Sequence, residues 1–209
     1  DPYGELYFEG QPLSPLKSMD KNGYVMYLST FSKTISPGLR LGWICTGKKL
    51  IHQLCNIRQL ADLHSNCISQ QVVERFIVSG GMADYLTLIR REYKERRDIM
   101  AEALDRYAPP GLSWNIPAGG YYLWCTLPEG VSAEALAQKA AAGGVAILPG
   151  MPSYLVTRKG EAHVRLNYTF PAKNRISEGI RLLCEAIREL LRLSKEAAWP
   201  AENEINHIL

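Results

Sequence analysis

The chain has 209 residues, a hydrophobic share of 46%, a charged share of 22% and a formal net charge of +3. These proportions are ordinary for a globular protein, and the length suffices for one large domain or two small ones. The slight positive charge argues against binding nucleic acid or an anionic membrane through charge alone. No apolar run approaches the length that a membrane-spanning helix needs.

The cysteines and histidines are scattered along the chain. The five cysteines are Cys45, Cys55, Cys67, Cys125 and Cys184, and none of them forms a Cys-x-x-Cys pair. This distribution is typical of reduced thiols in a cytoplasmic protein and argues against a disulfide framework or a structural zinc site. The four histidines are equally dispersed, so no metal site is predicted.

The first part of the chain has the alternation of strands and helices that indicates an α/β domain. The predicted elements are a turn and extended piece at 1–8, buried strands at 24–28 and 40–46, and helices at about 48–61 and 68–79. Gly80 and Gly81 follow the second helix and provide a stop signal.

The second part begins with a long charged helix, predicted from about 83 to 107, and has an α+β character after it. An apolar stripe runs along this helix, and Pro109-Pro110-Gly111 ends it. The later predicted elements are strands at 120–127, 145–148 and 163–168, a helix capped by Ser132 that runs to about 142, and a helix at about 174–193. The tail after Ser194 is weakly patterned.

One lysine, Lys33, stands in a small polar loop between the first two predicted strands. Hydroxyl side chains lie three and one residues before it, at Thr30 and Ser32, and Arg40 follows seven residues later. Hydroxyls donate hydrogen bonds to phosphate oxygens, and the planar guanidinium binds a phosphate bidentately. A lysine in such surroundings suits a Schiff-base lysine beside a phosphate site.

The whole string 29–43, Ser-Thr-Phe-Ser-Lys-Thr-Ile-Ser-Pro-Gly-Leu-Arg-Leu-Gly-Trp, resembles the cofactor-lysine motif of the fold-type I pyridoxal-phosphate aminotransferases. It is most similar to the branch that holds 2-aminoadipate and aromatic aminotransferases and the MocR-type regulators. The resemblance implies that Lys33 forms the Schiff base with pyridoxal 5'-phosphate, and that Thr30, Ser32 and Arg40 hold the cofactor phosphate. A solvated lysine in a polar turn would explain Lys33 alone, but not the whole string.

Two further residues match positions of that family. Tyr3 corresponds to the tyrosine of an Asp-x-x-Tyr motif, which implies a hydrogen bond to the oxygen of the cofactor ring. Asp1 then falls on an unspecified position of the motif and is not the partner of the pyridine nitrogen. Arg165, in the string Val-Arg-Leu-Asn-Tyr, corresponds to the arginine that grips the substrate α-carboxylate. Taken alone, Arg165 would be an ordinary strand arginine in a surface ion pair.

The resemblance implies a fold-type I transferase of the α/β class, of which this chain holds the later part. The expected divisions are the trailing part of the large cofactor-binding domain at 1–82, an interdomain helix at 83–108, a complete small α+β domain at 109–193, and a tail at 194–209. Most of the cofactor cradle would lie upstream of Asp1. We therefore expect a fragment of a longer homodimeric protein, with weak or no cofactor binding by the fragment alone.

Three functions are compatible with this resemblance. The first is transamination between an amino acid and a 2-oxo acid. The second is a MocR/GntR-type transcription regulator, which would bind DNA only through an upstream winged-helix domain and use pyridoxal phosphate as an effector. The third, which the sequence favours least, is a lyase of the same fold. Nothing in the sequence identifies the amino-acid side chain that is accepted.

Overall fold

The computed structural model describes residues 1–155 and 160–198. The chain forms two compact units, the first made of residues 1–92 and 118–120, the second of 93–117 and the described residues from 121 onward. The boundary between them falls inside a long helix, between Glu92 and Tyr93. The four divisions expected from the resemblance remain a prediction.

The first unit contains a two-stranded sheet, three helices and the first part of a fourth. Its elements are α1 (Leu16–Met19), β1 (Tyr27–Thr30), a 3-10 turn (Pro37–Leu39), β2 (Gly42–Cys45), α2 (Lys48–Asp62), α3 (Cys67–Val78) and the first part of α4 (Gly81–Tyr107). Strands β1 and β2 are antiparallel, with Tyr27 opposite Cys45 and Thr30 opposite Gly42. The two strands and the helices were predicted at nearly these positions, whereas α1 was not.

The expectation that these two strands are buried is wrong for this chain. Leu28 is 48% exposed and Ile44 is 42% exposed, although both are large apolar residues. The reason is that β1 and β2 pair with each other and with no further strand of the described chain. A sheet of two strands leaves apolar side chains in contact with solvent unless another layer covers them.

The first strand also begins later than predicted, because residues 20–25 form a tight turn around one carboxylate. Asp20 accepts hydrogen bonds from the backbone N–H groups of Asn22, Gly23, Tyr24 and Val25, at 2.8–3.2 Å. Lys17 lies 2.8 Å from the same carboxylate. The ammonium of Lys17 and these backbone donors hold the pKa of Asp20 well below its usual range. The turn fixes the chain where it enters β1.

The second unit is an antiparallel sheet covered on one face by helices. Its elements are the rest of α4, β3 (Ser113–Asn115), β4 (Tyr122–Thr126), α5 (Ala133–Ala142), β5 (Leu148–Pro149), a 3-10 turn (Met151–Ser153), β6 (His163–Asn167) and α6 (Lys173–Ala198). The strand order is β3-β4-β6-β5. Strand β3 was not predicted, because its three residues carry no clear alternation. Helix α6 extends beyond the predicted end at 193, and residues 199–209 of the expected tail lie outside the described residues.

The prediction of a buried strand at 145–148 is wrong in both bounds and burial. The strand is Leu148–Pro149, and Leu148 is 47% exposed. Val145 instead donates its N–H to the carbonyl of Ala140 at 2.8 Å, and Gly144, with a φ of 80°, donates to Ala141 at 3.0 Å. These two bonds close the end of α5 as a Schellman motif, so the residues that follow the helix are used for its cap.

The core of the second unit follows the two-residue period of its central strands. Leu123 and Cys125 on β4 and Val164 and Leu166 on β6 are buried, and burial raises the pKa of the Cys125 thiol to about 12. The predicted apolar stripe of α6 is also buried, at Ile176, Ile180, Leu183 and Ile187. The other face of β4 and β6 is half-buried and carries the polar and aromatic side chains.

Gly119 is expected to tolerate no side chain. Its backbone bridges Tyr7, and a Cβ atom at this position would press on the carbonyl oxygen of Leu6 and lie 2.8 Å from the Cα of Tyr7. Because both neighbours are backbone atoms, Gly119→Ala is expected to lower the free energy of unfolding of the full-length protein by ~1–3 kcal/mol. Urea denaturation followed by circular dichroism measures this change.

A matched glycine provides the control for that substitution. Gly179 lies in the interior of α6, and no atom lies within 4 Å of a Cβ added there. Gly179→Ala is therefore expected to leave stability unchanged or to raise it by up to ~1 kcal/mol. Equal stability of the Gly119 and Gly179 variants would contradict the close approach at Gly119.

Candidate active site

The lysine loop begins at the end of β1 with two hydroxyl side chains in mutual contact. The hydroxyl of Thr30 lies 2.9 Å from the hydroxyl of Ser32 and 2.9 Å from the carbonyl oxygen of Leu41, and it accepts the backbone N–H of Ser32 at 3.1 Å. Thr30 has one hydroxyl proton, and both of these acceptors lie inside the loop. Ser32 is therefore the hydroxyl better placed to donate to an external acceptor, with Thr30 holding it in place.

Lys33 stands in a helical turn directly after this pair. Ile35 and Ser36 both donate their N–H groups to the carbonyl of Phe31, at 2.8 and 3.0 Å. The lysine side chain is half-buried, and its neighbour Thr34 is buried with 6% exposed. The turn thus fixes the backbone on both sides of Lys33, the residue predicted to form the Schiff base.

Arg40 ends the loop in an uncommon backbone conformation. Its φ of 52° and ψ of 38° lie in the left-handed region, which a residue with a side chain adopts only when the surrounding structure requires it. The guanidinium is exposed and donates to the carbonyl of Pro37 at 3.2 Å. No carboxylate within residues 1–155 and 160–198 pairs with it. Its charge is consequently available to an anionic group.

The donors of this loop, Ser32 and Arg40, fit a phosphate group that lies beside Lys33. A hydroxyl donor at Ser32 and an uncompensated guanidinium at Arg40 lie on one short segment, at 29–43, that also carries Lys33. Charge-assisted hydrogen bonds from a guanidinium to a phosphate are among the strongest hydrogen bonds in proteins. The residues present therefore fit the phosphate and the aldehyde of pyridoxal phosphate, the latter through the lysine amine.

The segment that carries Tyr3 lies against β1. The backbone N of Asp1 donates to the carbonyl of Leu28 at 2.6 Å, and the Asp1 carboxylate accepts the hydroxyl of Tyr27 at 3.1 Å. Tyr3 is half-buried, and its carbonyl accepts the N–H of Leu6 at 2.8 Å. That Asp1 is not the partner of the pyridine nitrogen remains a prediction.

Arg90 anchors the start of the chain, a role that the sequence pattern does not indicate. Its guanidinium donates to the carbonyl of Glu5 at 2.7 Å and to the Glu5 carboxylate at 3.0 Å, and it lies 4.1 Å from the centroid of the Tyr7 ring. Arg90 thereby ties the 1–8 segment to α4. Only its place in the charged stripe of a long helix was visible in the sequence, and that pattern does not distinguish an anchoring arginine from a solvated one.

Arg165 belongs to the second unit and lies on the half-buried face of β6. It stands opposite Trp124 on β4 and opposite Leu148 on β5. Its guanidinium carbon is 4.2 Å from the centroid of the Tyr122 ring, and its Nε is buried without a hydrogen-bond partner in the described part of the chain. An ordinary surface ion pair, the alternative interpretation of this arginine, is absent among the described residues.

An aromatic cluster continues the same face of the sheet. The ring of His163 stacks on the ring of Tyr154 with centroids 5.5 Å apart and an interplanar angle of 12°, and it lies 5.5 Å from the ring of Trp124. The Nδ1 of His163 is 3.3 Å from the hydroxyl of Thr126. These contacts fix the start of the segment after the second 3-10 turn against the face that carries Arg165.

The described residues contain no cluster of side chains that could hold a metal ion. They also contain no helix that is both long enough and apolar enough to span a membrane. Two groups of residues carry the candidate chemistry, the lysine loop of the first unit and the arginine face of the second.

Comparison with known proteins agrees with the resemblance found in the sequence. The profile of the family "Aminotransferase class I and II" matches residues 2–186. The chain is 39% identical over 192 residues to aromatic-amino-acid aminotransferase 1 of Thermococcus litoralis, covering 92% of this chain and 46% of that protein. It is 36% identical to the uncharacterized HTH-type transcriptional regulator YisV of Bacillus subtilis, covering 91% of this chain and 39% of that protein.

Among solved structures, the chain is similar to LysN, the α-aminoadipate aminotransferase of Thermus thermophilus, with a TM-score of 0.85 and 36% identity. The similarity covers 92% of this chain and 50% of that one, and the LysN structure is complexed with N-(5'-phosphopyridoxyl)-L-leucine. The chain spans about half the length of the relatives it matches, or less. The fold-type I class and the pyridoxal phosphate cofactor expected from the sequence are confirmed. The chain belongs to the class I and II aminotransferase family.

Proposed function

We propose that the full-length protein is a pyridoxal-phosphate-dependent aminotransferase that moves an amino group between an amino acid and a 2-oxo acid. The observation that carries this proposal is the single loop that places Lys33 next to the Ser32 hydroxyl and ahead of the uncompensated Arg40 guanidinium. We place this activity in a cytoplasmic homodimer, in keeping with the free thiols of the five cysteines and with the family.

The cofactor, when bound, supplies a carbonyl that condenses with amines and a ring that withdraws electrons from the substrate Cα. Ser32 and Arg40 bind its phosphate, with Thr30 orienting the Ser32 hydroxyl. Tyr3 donates to the oxygen of its ring. The amine of Lys33 would accept the proton that leaves the substrate Cα and would later donate it to the cofactor carbon that carries the transferred nitrogen.

Arg165 orients the substrate by its α-carboxylate. The guanidinium offers two parallel N–H donors to the two carboxylate oxygens, a geometry that fixes rotation as well as position. Fixing the carboxylate fixes the direction of the Cα–H bond, and this orientation contributes to the rate because the proton must leave toward the lysine amine. The buried, unpartnered Nε of Arg165 supports this role, since an arginine with its own ion pair would compete with the substrate.

A transcription regulator of the MocR type is the second candidate. The similarity to YisV favours it, because that protein is an HTH-type regulator and matches 91% of this chain. In a regulator the same lysine and phosphate donors would bind pyridoxal phosphate as an effector. An additional DNA-binding domain would be needed, and turnover would not be.

The experiment that separates these functions uses the full-length protein loaded with pyridoxal phosphate. We expect L-phenylalanine or L-2-aminoadipate to give its 2-oxo acid, with an equal amount of glutamate, when 2-oxoglutarate is the acceptor. Chromatographic measurement of both products checks this balance. Ammonia release without an acceptor would indicate a lyase, whereas cofactor-dependent binding to the protein's own promoter DNA without products would indicate a regulator.

A further inference from the structure

The surroundings of Arg165 are unusual for a charged residue on a sheet. Its direct neighbours across the two adjacent strands are Trp124 and Leu148, neither of which carries a charge. The guanidinium does not lie over Trp124. It leans along the sheet to Tyr122, whose partner in the register is Asn167, and which is therefore the diagonal neighbour of Arg165.

The contact between Arg165 and Tyr122 places the guanidinium over the aromatic ring. The guanidinium carbon lies 4.2 Å from the ring centroid, within the distance at which a cation is attracted to the face of an aromatic ring. The Nε is buried and has no hydrogen-bond partner within the described ranges, so no hydrogen bond at Nε holds the orientation. The ring of Tyr122 is in position to hold it instead.

We propose that Tyr122 is the positioning residue for the carboxylate-binding arginine. Its ring holds the Arg165 guanidinium in one orientation, with the Nη groups presented to the α-carboxylate of the amino-acid substrate. A long side chain that is already ordered loses less conformational freedom on binding, and the cost avoided appears as affinity. This inference rests on the proposed function, because it assumes that Arg165 binds the substrate carboxylate.

The role belongs to the ring of Tyr122 and not to its hydroxyl, since stacking uses the aromatic face. Tyr122→Phe keeps that face and removes the hydroxyl, whereas Tyr122→Leu removes the face and keeps an apolar side chain. Tyr107→Leu is the matched control, because Tyr107 is another tyrosine of the second unit with a guanidinium above it, that of Arg106 at 5.9 Å. Tyr107 is the last residue of α4 and belongs to neither β4 nor β6.

The test is steady-state kinetics of the full-length holoenzyme with the amino-acid donor varied, using L-phenylalanine or L-2-aminoadipate, whichever is turned over. For Tyr122→Leu we expect KM for the amino acid to rise roughly 3- to 30-fold, the range that a cation–π contact supports, with kcat changed less than about twofold. For Tyr122→Phe and Tyr107→Leu we expect wild-type values of both. Inhibition by 3-phenylpropionate, a carboxylate without an amino group, should weaken in parallel with KM.

A parallel Arg165→Lys variant separates failure of this inference from failure of the proposed function. If Arg165→Lys leaves KM unchanged, Arg165 does not bind the carboxylate and the proposed role of that residue is wrong. If Arg165→Lys raises KM but Tyr122→Leu does not, the positioning role of Tyr122 is wrong. An equal loss in Tyr122→Phe and Tyr122→Leu would assign the effect to the hydroxyl and would also overturn the inference.

Folding of the variants is checked by circular dichroism, and Tyr122→Met replaces Tyr122→Leu if the latter does not fold. Methionine is flexible and apolar and offers no aromatic face, so the same rise in KM is expected. In the double variant with Arg165→Lys, the Tyr122→Leu effect on KM should shrink, because the planar guanidinium that Tyr122 orients is gone. Full additivity of the two effects would count against coupling between the two residues.

Discussion

Replacement of Lys33 by alanine in the full-length protein is expected to abolish transamination. In the proposed function the lysine amine takes the Cα proton from the substrate, and removal of a general base of this kind costs about 10²- to 10⁴-fold in rate. The variant should also lose the visible absorbance band of lysine-bound pyridoxal phosphate. Product formation under single-turnover conditions and an absorbance spectrum measure the two effects.

The control for this substitution is Lys49→Ala, since Lys49 is an exposed lysine of α2 in the same unit. It should retain the spectrum and the rate of the wild-type protein. If Lys33→Ala turns over at the wild-type rate, Lys33 is not the catalytic base and the assignment of the loop is wrong. If it loses the spectrum in a protein that has no turnover at the outset, the loop binds cofactor in a regulator.

Replacement of Arg165 by lysine is expected to lower kcat/KM for amino-acid donors by about 10²-fold or more, because it would break the bidentate, partly desolvated charge pair that we propose with the substrate carboxylate. Lysine keeps the positive charge but offers a point donor in place of two parallel N–H groups. The loss should appear with every α-amino acid donor, since the α-carboxylate is common to them. Steady-state kinetics with two donors of different side chains checks this expectation.

Arg181→Lys is the matched control for the arginine substitution. Arg181 lies on α6 and pairs with the carboxylates of Glu178 and Glu185, so lysine can replace much of its role there. Exposed pairs of this kind contribute little to stability or function. A similar loss of kcat/KM in both variants would mean that the effect of Arg165→Lys is not specific to the substrate carboxylate.

The lysine loop was predictable from the sequence because its parts are close in the chain. Thr30, Ser32, Lys33 and Arg40 lie within one segment of eleven residues that starts at the last residue of β1 and ends before β2, so the backbone alone brings them together. The helices other than α1 were predicted for a similar reason, since their apolar period and their stop signals are local. The Ser132 cap, which accepts the N–H of Ala135, is where the sequence placed it.

Burial and strand length were less predictable, because they depend on what other parts of the chain do. The apolar runs at 24–28 and 40–46 have the composition of covered strands, yet β1 and β2 remain exposed in this chain. The run at 145–148 has the composition of a strand, but the cap of α5 uses its first residue. A composition pattern records the tendency of a segment to be covered and not the presence of the covering layer.

The sequence by itself determined the family of this protein. It also singled out the residues that we propose for the Schiff base, the cofactor phosphate and the substrate carboxylate, and these roles remain predictions. Only the tertiary structure decided how these residues are held. The hydroxyl proton of Thr30 is kept inside the loop by Leu41, the 1–8 segment is anchored by Arg90, and Arg165 rests on the ring of Tyr122. The contacts of Arg90 and Arg165 join residues that are distant in the chain, and the contact of Thr30 with Leu41 depends on the pairing of β1 with β2. Strand register and helix packing therefore decide all three, and no local pattern encodes them.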